Sequence, residues 1–378
     1  MKLTYKFKNS EAEIGSIDKK EYLDPEKVYI YLKNGDRIKL EDGDKVKENE
    51  LVRVSYNNRK TYSPISGTCH VTDNCVEITN DHKKNETKEK ESLKSFDDID
   101  RNKFMKLLHD VGDSVNNHEL ADYFEDNYKL ILVNGCDIEP YQFNIRAIIK
   151  DHAEEICETV GLISKIFNVD VDFVLTSSDP NLKKVSSEAD RYNGIKVTSL
   201  NEGFPYTLDS LLKDKLYPQY SDKDVLILDP LDIYKIYKAL KYQLPVTERY
   251  VTVSYADKDR VYVVKTKYGV SLKEILSDIL PDDPSNHYIY LNNFMRKTIC
   301  TNLDLMVVAD QVRAVFIVDN KGIDPIDCIK CGKCVQICPI DINPMASPLS
   351  GDCIRCGLCN FVCPSNINLL EENKKEHV

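Results

Sequence analysis

Two stretches toward the C-terminal end, CIKCGKCVQICP (328–339) and CIRCGLCNFVCP (353–364), share one spacing, C-x2-C-x2-C-x3-C-P. Steps of two residues curl a backbone so that three thiolates converge on one face of an iron–sulfur cube. The fourth, three residues on, is carried across to the other cube. Gly332 and Gly357 permit the tight approach, and Pro339 and Pro364 redirect the chain by fixing φ. Zinc takes four ligands per ion with longer gaps between its cysteine pairs, and it leaves the doubled spacing unexplained. The spacing therefore predicts two [4Fe–4S] clusters. Cys328, Cys331, Cys334 and Cys363 are expected around the first, and Cys353, Cys356, Cys359 and Cys338 around the second. Two such clusters with no other chemistry beside them carry single electrons. Lys330 and Lys333 flank the first and only Arg355 the second, so the first is expected at a slightly higher potential.

The rest of the chain narrows the setting. The 378 residues carry a formal charge of −11, which argues against a nucleic-acid binder, since phosphate neutralisation needs clustered cations. No run reaches the roughly 18 apolar residues of a membrane span. MKLTYKFKNSEAEIG lacks the apolar centre of a secretory signal, so the thirteen cysteines are expected in a reducing, cytoplasmic compartment, not in disulfides. In TCHVTDNC a two-residue turn at Asp73-Asn74 pairs Val71 with Val76 and puts Cys69 and Cys75 on opposite faces, so they are not expected to bond. Cys136, Cys157 and Cys300 are expected as buried thiols. The seven histidines show no i, i+4 pairing, and neither a G-x-S-x-G nor a P-loop occurs.

Hydrophobic patterning predicts an α/β multidomain chain. Residues 1–80 read as short strands with turns at Asn34-Gly35, Asp42-Gly43, Asn57-Asn58 and Ser66-Gly67. EDGDKVKENELVRV followed by SPISGTCHVT resembles the flattened barrel, or barrel-sandwich, of biotinyl and lipoyl carrier domains. Lys60 falls near their modified lysine but is expected to be a surface turn residue. Residues 81–100 are a charged linker. Strands and helices alternate through 101–245: LILV (130–133), a helix with Ile145, Ile149, Ile156, Val160, Ile163 and Phe167 on one face, VDFVL (171–175), GIKVTSL (194–200), a helix near 208–216, DVLIL (224–228), and LDIYKIYKAL opened by Pro230. That order implies a mainly parallel sheet. Residues 246–322 are expected to form a β-grasp-like module around a turn at Ala256–Asp259, with YIYL (288–291) and RAVFIVD (313–319) returning to the preceding core. Residues 323–368 are expected as a dicluster ferredoxin-like domain, and 369–378 as a tail.

This order of parts resembles the C subunit of the Rnf electron-transport complex, whose flavin-binding fold has a relative in the NADH-oxidising flavoprotein of respiratory complex I. The resemblance runs from about residue 5 to 370 and is carried by the cysteine loops, by LPVTERYVTVS (244–254) and by NGCDIEPY (134–141). It implies NADH oxidation on an FMN, then electron passage through two clusters. It also implies that Asn134, Gly135, Asp137, Glu139 and Tyr141 mark the flavin/NADH site, with Pro140 completing the turn. The family's glycine-rich phosphate loop falls at HDVGDSVNNHELADYF (109–124), where only Gly112 remains and Asp113, Glu119 and Asp122 add negative charge. The glycine-rich segment after the β-grasp reads YLNNFMRK (290–297). NSEAEIG (9–15) replaces a glycine-histidine motif, and QFNIR stands after Tyr141 where polar and acidic residues are implied. FMN is therefore not expected. The 134–141 turn is expected to be structural, and independent NADH dehydrogenase activity is not expected.

The function expected is that of an iron–sulfur relay between redox proteins (a ferredoxin, a flavoprotein or reductase subunits), with its α/β domain as a docking platform. Such a chain could sit peripherally at the cytoplasmic face of a membrane electron-transport complex. Its acidic surface favours a basic partner face or a weak encounter. Two rival readings are an NADH-oxidising FMN-binding subunit of an Rnf-type ion-translocating complex and an assembly subunit in which the clusters act only as staples.

Overall fold

A computed structural model describes residues 7, 16–83, 93, 95–115, 118–255, 260–280, 287–296, 299–300, 302–319, 325–346 and 350–372. The 9–15 segment, most of the charged linker and the Ala256–Asp259 turn lie outside these residues.

A four-stranded parallel sheet forms where the sequence alternates strands with helices. Its order is Ile195–Leu200, Asp170–Thr176, Leu130–Asn134, Val225–Leu228. Strands covered on both faces read as unbroken apolar runs, and LILVN is buried at all its positions. Helices Asn144–Phe167 and Pro230–Tyr242 pack on the sheet and on each other through Ile149, Ile156, Ile163, Ile233 and Ile236. The second of these starts with a reciprocal Asp229/Asp232 capping box and Pro230 in its first turn. From Leu130–Asn134 the chain proceeds outward for two strands, then returns to the other side. Residues 134–141 therefore leave the sheet at its topological switch point, where open α/β sheets form a crevice at the strand carboxyl ends.

A five-stranded mixed sheet follows, in the order Ser16–Tyr22, Arg260–Lys267, Glu248–Tyr255, Ala314–Asp319, His287–Leu291. Here the sequence expectation is corrected. The strands around 288–291 and 313–319 join this sheet and not the preceding parallel one, because Glu248–Tyr255 keeps a free edge that Ala314–Asp319 takes in parallel, Thr252 opposite Ala314. Ser16–Tyr22 also belongs here, parallel to Arg260–Lys267, and not with the other N-terminal strands.

Residues 27–80 form two small sheets. One is ordered Lys27–Tyr31, Cys75–Asn80, Gly67–Val71, Lys45–Val46, and the other Arg37–Ile38, Leu51–Val54, Lys60–Tyr62. Val28, Ile30, Val76 and Ile78 share one core with Val251, Val253, Val315 and Ile317 of the five-stranded sheet. Gly35 and Gly43 adopt φ of 88° in their turns. Gly67, by contrast, is no turn residue. It opens a strand where a Cβ would come 2.0 Å from the Thr79 carbonyl oxygen. Val71 pairs with Val76, and Cys69 is buried while Cys75 is partly exposed, so the two thiols do not meet. Cys136 and Cys157 are buried, but Cys300 is only partly so because it sits beside an edge of the sheet, its N–H bonded to Ile289.

The cysteine loops carry the short helices Lys333–Ile337 and Leu358–Phe361 and are followed by Leu369–Glu372. Ile337 and Leu358 anchor them to Phe7, Phe204 and Met295.

Candidate metal centre

The two loops are conformational copies of each other. At matching positions Lys330 and Arg355 have φ of 54° and 53°, Gly332 and Gly357 of 72° and 86°, and Asp341 and Asn366 of 57° and 55°. Non-glycine residues hold such angles only where the surroundings over-determine them. Left-handed residues between right-handed ones turn successive N–H groups toward one concavity, the backbone arrangement that surrounds anions and iron–sulfur sites. The Lys330 N–H accordingly donates to Cys328 Sγ at 3.4 Å.

Two cavities result. One is lined by Cys328, Cys331, Cys334 and Cys363, the other by Cys338, Cys353, Cys356 and Cys359. Each draws three thiols from one loop and one from the other. The first, outer set is open: Cys328 and Cys331 are exposed, and its cavity measures about 290 Å³. The second, inner set is more closed: Cys338, Cys356 and Cys359 keep 7–8% of their surface, Cys353 is partly exposed, and the cavity is about 20 Å³. A cube there requires the facing thiols to rotate outward. Burial pushes the Cys356 thiol up to about 11 and Cys359 up to about 12, so these sulfurs become thiolates only with cationic metal to hold them. Among the described residues no group of three or more Cys, His, Asp or Glu side chains converges as a single metal ion would require. The donor chemistry and loop geometry fit multinuclear iron–sulfur clusters.

Beside the inner set lies the 134–141 turn. The Asn134 amide donates to the Thr207 carbonyl and Asp209 Oδ1 at 3.0 and 2.7 Å. Gly135 admits no side chain, since a Cβ would meet Phe173 Cε2 at 2.6 Å. Asp137 and Asp179 share the one Arg146 guanidinium at 2.9 and 3.3 Å, and burial pushes Asp137 up to about 7. Glu139 is bound by Asn293 and, at 3.2 Å, by Arg296. Tyr141, at φ 60°, lies against Phe294. Asp137, Glu139, Tyr141, Arg146, Gly203 and Phe204 line a space of about 20 Å³, room for about one water. Unlike the inner thiol-lined cavity, it has charged groups in its wall, Asp137 paired with Arg146 and Glu139 with Arg296.

Asn293, Met295 and Arg296 escaped the sequence reading, which noted in 290–297 only the missing glycines. Their signal is faint: an Asn pair at the end of a strand, with Asn292 at φ 62°. Asn293 joins Glu139 to the backbone of Cys356, and Met295 packs against Gly357.

Comparison with known proteins agrees with this geometry. Residues 328–342 and 353–367 match the 4Fe-4S binding domain family. The chain is 24% identical over 238 residues to the C subunit of the ion-translocating oxidoreductase complex of Rhodobacter capsulatus, covering 57% of this chain and 44% of the relative. The Buchnera aphidicola protein of that name is 25% identical over 233 residues, covering 57% and 48%. The C subunit of the proton-translocating ferredoxin:NAD(+) oxidoreductase complex of Clostridium ljungdahlii is 20% identical over 234 residues, covering 59% and 51%. The chain is thus similar to Rnf-type C subunits. It spans about half the length of the curated relatives it matches. A chain of an NAD+-reducing [NiFe]-hydrogenase in the H2-reduced state superposes with TM-score 0.48 at 11% identity, covering 66% of this chain and 52% of that one.

Residues of the 109–124 stretch make contacts within the fold. Gly112 is the left-handed C-cap of helix Arg101–Val111, and a Cβ there would meet Lys60 Cδ at 2.8 Å. Lys60 donates to the His109 and Asp110 carbonyls at 2.9 and 2.8 Å, capping the same helix end. Asp113 accepts from the Val246 N–H and lies 3.9 Å from the buried Lys235, which pairs with Asp310 at 2.9 Å. Glu119 faces His109 Nδ1 at 3.2 Å, and Asp122 accepts from the Glu119 N–H. Asp113, Glu119 and Asp122 are thus each engaged within the fold.

Proposed function

We propose that this chain relays single electrons through two [4Fe–4S] clusters, without a flavin or NADH site of its own. Cys328, Cys331, Cys334 and Cys363 hold one cluster, and Cys353, Cys356, Cys359 and Cys338 the other. The observation that carries this reading is the sorting of eight thiols into two four-thiol walls, each with one thiol crossed over from the other loop. When bound, the clusters supply reversible one-electron chemistry. The polypeptide fixes the thiolates, aims backbone amides at them and sets their exposure. With one set open and the other more closed, exchange with a redox protein takes place at the outer set. Asn134, Gly135, Asp137, Glu139 and Tyr141 are structural in this reading, since the Asn134, Asp137 and Glu139 side chains are engaged inside the protein, Gly135 admits no side chain and the Tyr141 ring lies against Phe294. The names of the relatives, C subunits of ion-translocating oxidoreductase complexes, support a place in a membrane electron-transport complex, and we propose a peripheral position on its cytoplasmic face. No described helix is long and apolar enough to cross a membrane.

The test is anaerobic purification followed by iron, sulfide and flavin analysis, with spectra before and after NADH and dithionite. About eight irons per chain, reduction by dithionite, no released FMN and no bleaching by NADH are expected. Stoichiometric FMN with bleaching by NADH would replace the relay with an NADH-oxidising flavoprotein. Clusters that dithionite leaves oxidised would favour a structural staple. Zinc, or far fewer irons, would remove the reading altogether.

A further inference from the structure

The chain is acidic overall, yet the surface over the outer thiols is not. Among the described residues, the charged side chains lining that cavity are Lys330 and Lys333, with no carboxylate. Asp327 stands just before the first thiol but outside the lining. Around the same opening, large apolar side chains face solvent: Ile329 keeps 61% of its surface, Met345 44% and Val335 42%, with Ile326 at 61% close by in sequence. Cys328 and Cys331 are exposed at the centre. An apolar patch with cations on its rim, on a molecule of charge −11, repels copies of itself and attracts an acidic face.

We propose that the face around Cys328 and Cys331 is the docking surface for a small acidic one-electron carrier protein. Its apolar contacts would lie on Ile329, Val335 and Met345, and its carboxylates would meet Lys330 and Lys333. This rests on the relay reading and names the partner of its outer site. Electron-transfer encounters are small and short-lived, typically under about 1,200 Å². A compact patch is enough, and steering by charge sets the association rate. The local sign matters more than the net charge because screening confines each charge to about 8 Å at physiological salt. The balance is simple: the reduced carrier loses one electron, and the cluster held by Cys328, Cys331, Cys334 and Cys363 gains it.

The test is stopped-flow reduction of the anaerobic, cluster-loaded full chain by a photoreduced acidic ferredoxin across a salt series. Lys330→Glu/Lys333→Glu is compared with the neutral pair Lys330→Gln/Lys333→Gln and with the remote control Lys106→Glu/Lys150→Glu. The wild-type rate should fall with salt. The reversed pair should lose about 10-fold or more at low salt and lose the falling salt dependence. The Gln pair should lie between, and the remote pair should behave as wild type. Iron content and potentials from equilibrium titration are measured on each protein, so that rates are compared at matched driving force. A wild-type rate that rises with salt, or equal losses in the remote and local pairs, would overturn the docking surface while leaving the relay standing. Clusters that dithionite cannot reduce would overturn the relay itself.

Discussion

Asn293 ties Glu139 to the inner cysteine loop: its side-chain nitrogen donates to Glu139 Oε2 at 2.6 Å and to the Cys356 carbonyl oxygen at 3.1 Å. Glu139, one of the two acidic residues of the 134–141 turn, is therefore a strut under the cysteine loop. Burial pushes its carboxyl from 4.5 up to about 7, against the pull of Arg296 and the Asn293 amide. A carboxyl whose folded value is raised contributes stability below its unfolded value, and that contribution is lost as pH rises through the folded one. Wild type should lose stability between about pH 4.5 and pH 7 relative to Glu139→Gln, by about 3 kcal/mol. Urea unfolding of both proteins across this range, followed by circular dichroism, checks it. Parallel pH profiles would show that the carboxyl stays ionised in the fold.

The crossed thiols give a sharper expectation. Cys363 belongs to the second loop but lines the cavity of the first, and Cys338 does the reverse. Cys363→Ser should damage the outer cluster and Cys338→Ser the inner one, each lowering iron from about eight toward about four per chain. Because the outer set is exposed, the cluster remaining in Cys338→Ser should be the one that oxygen bleaches faster. If Cys363→Ser instead spared the oxygen-sensitive cluster, the assignment would be reversed.

The two iron–sulfur loops were legible in the sequence because loop spacing is local and thiolate chemistry is specific. The parallel sheet was legible for a related reason: LILVN, DVDFVLT and VLIL are apolar runs with helices between them. What escaped were contacts made at long range. Nothing near Asn293 announces a partner at Glu139, and nothing in Ser16–Tyr22 announces parallel pairing with Arg260–Lys267. One glycine misled for a physical reason. Gly67 suggested a turn, whereas it opens a strand and lets two strands approach closely.

Gly332 and Gly357 occupy matching positions but should not tolerate the same change. Both have positive φ, so either Gly→Ala change incurs roughly 1–2 kcal/mol of backbone strain. At Gly332 a Cβ meets nothing within 4 Å, whereas at Gly357 it would lie 2.8 Å from Met295 Cβ and 2.9 Å from its carbonyl carbon. Gly332→Ala should keep its clusters. Gly357→Ala should be clearly less stable and lose the inner cluster first, as judged by iron content and EPR after mild warming. Equal behaviour would mean that the inner loop does not press on Met295.

Lys235 is 2% exposed and sits between Asp310 and Asp113, with the Arg249 guanidinium 3.6 Å from the same Asp310 and the Tyr268 hydroxyl donating to it at 2.8 Å. Burial works against the ammonium, but Asp310, Tyr268 and Asp113 outweigh it and hold Lys235 protonated well above the ordinary lysine value. Removing one partner of such a pair strands the other, a loss of about 3–5 kcal/mol, whereas removing both lifts most of that penalty. Lys235→Met should therefore lower the urea midpoint markedly, and Lys235→Met/Asp310→Asn should recover part of the loss, with Arg249 and Asp113 limiting the recovery. Iron content should stay at the wild-type value in both, since neither residue touches a cysteine loop. A double variant no better than the single one would mean that Lys235 acts through packing of its methylene chain and not through its charge.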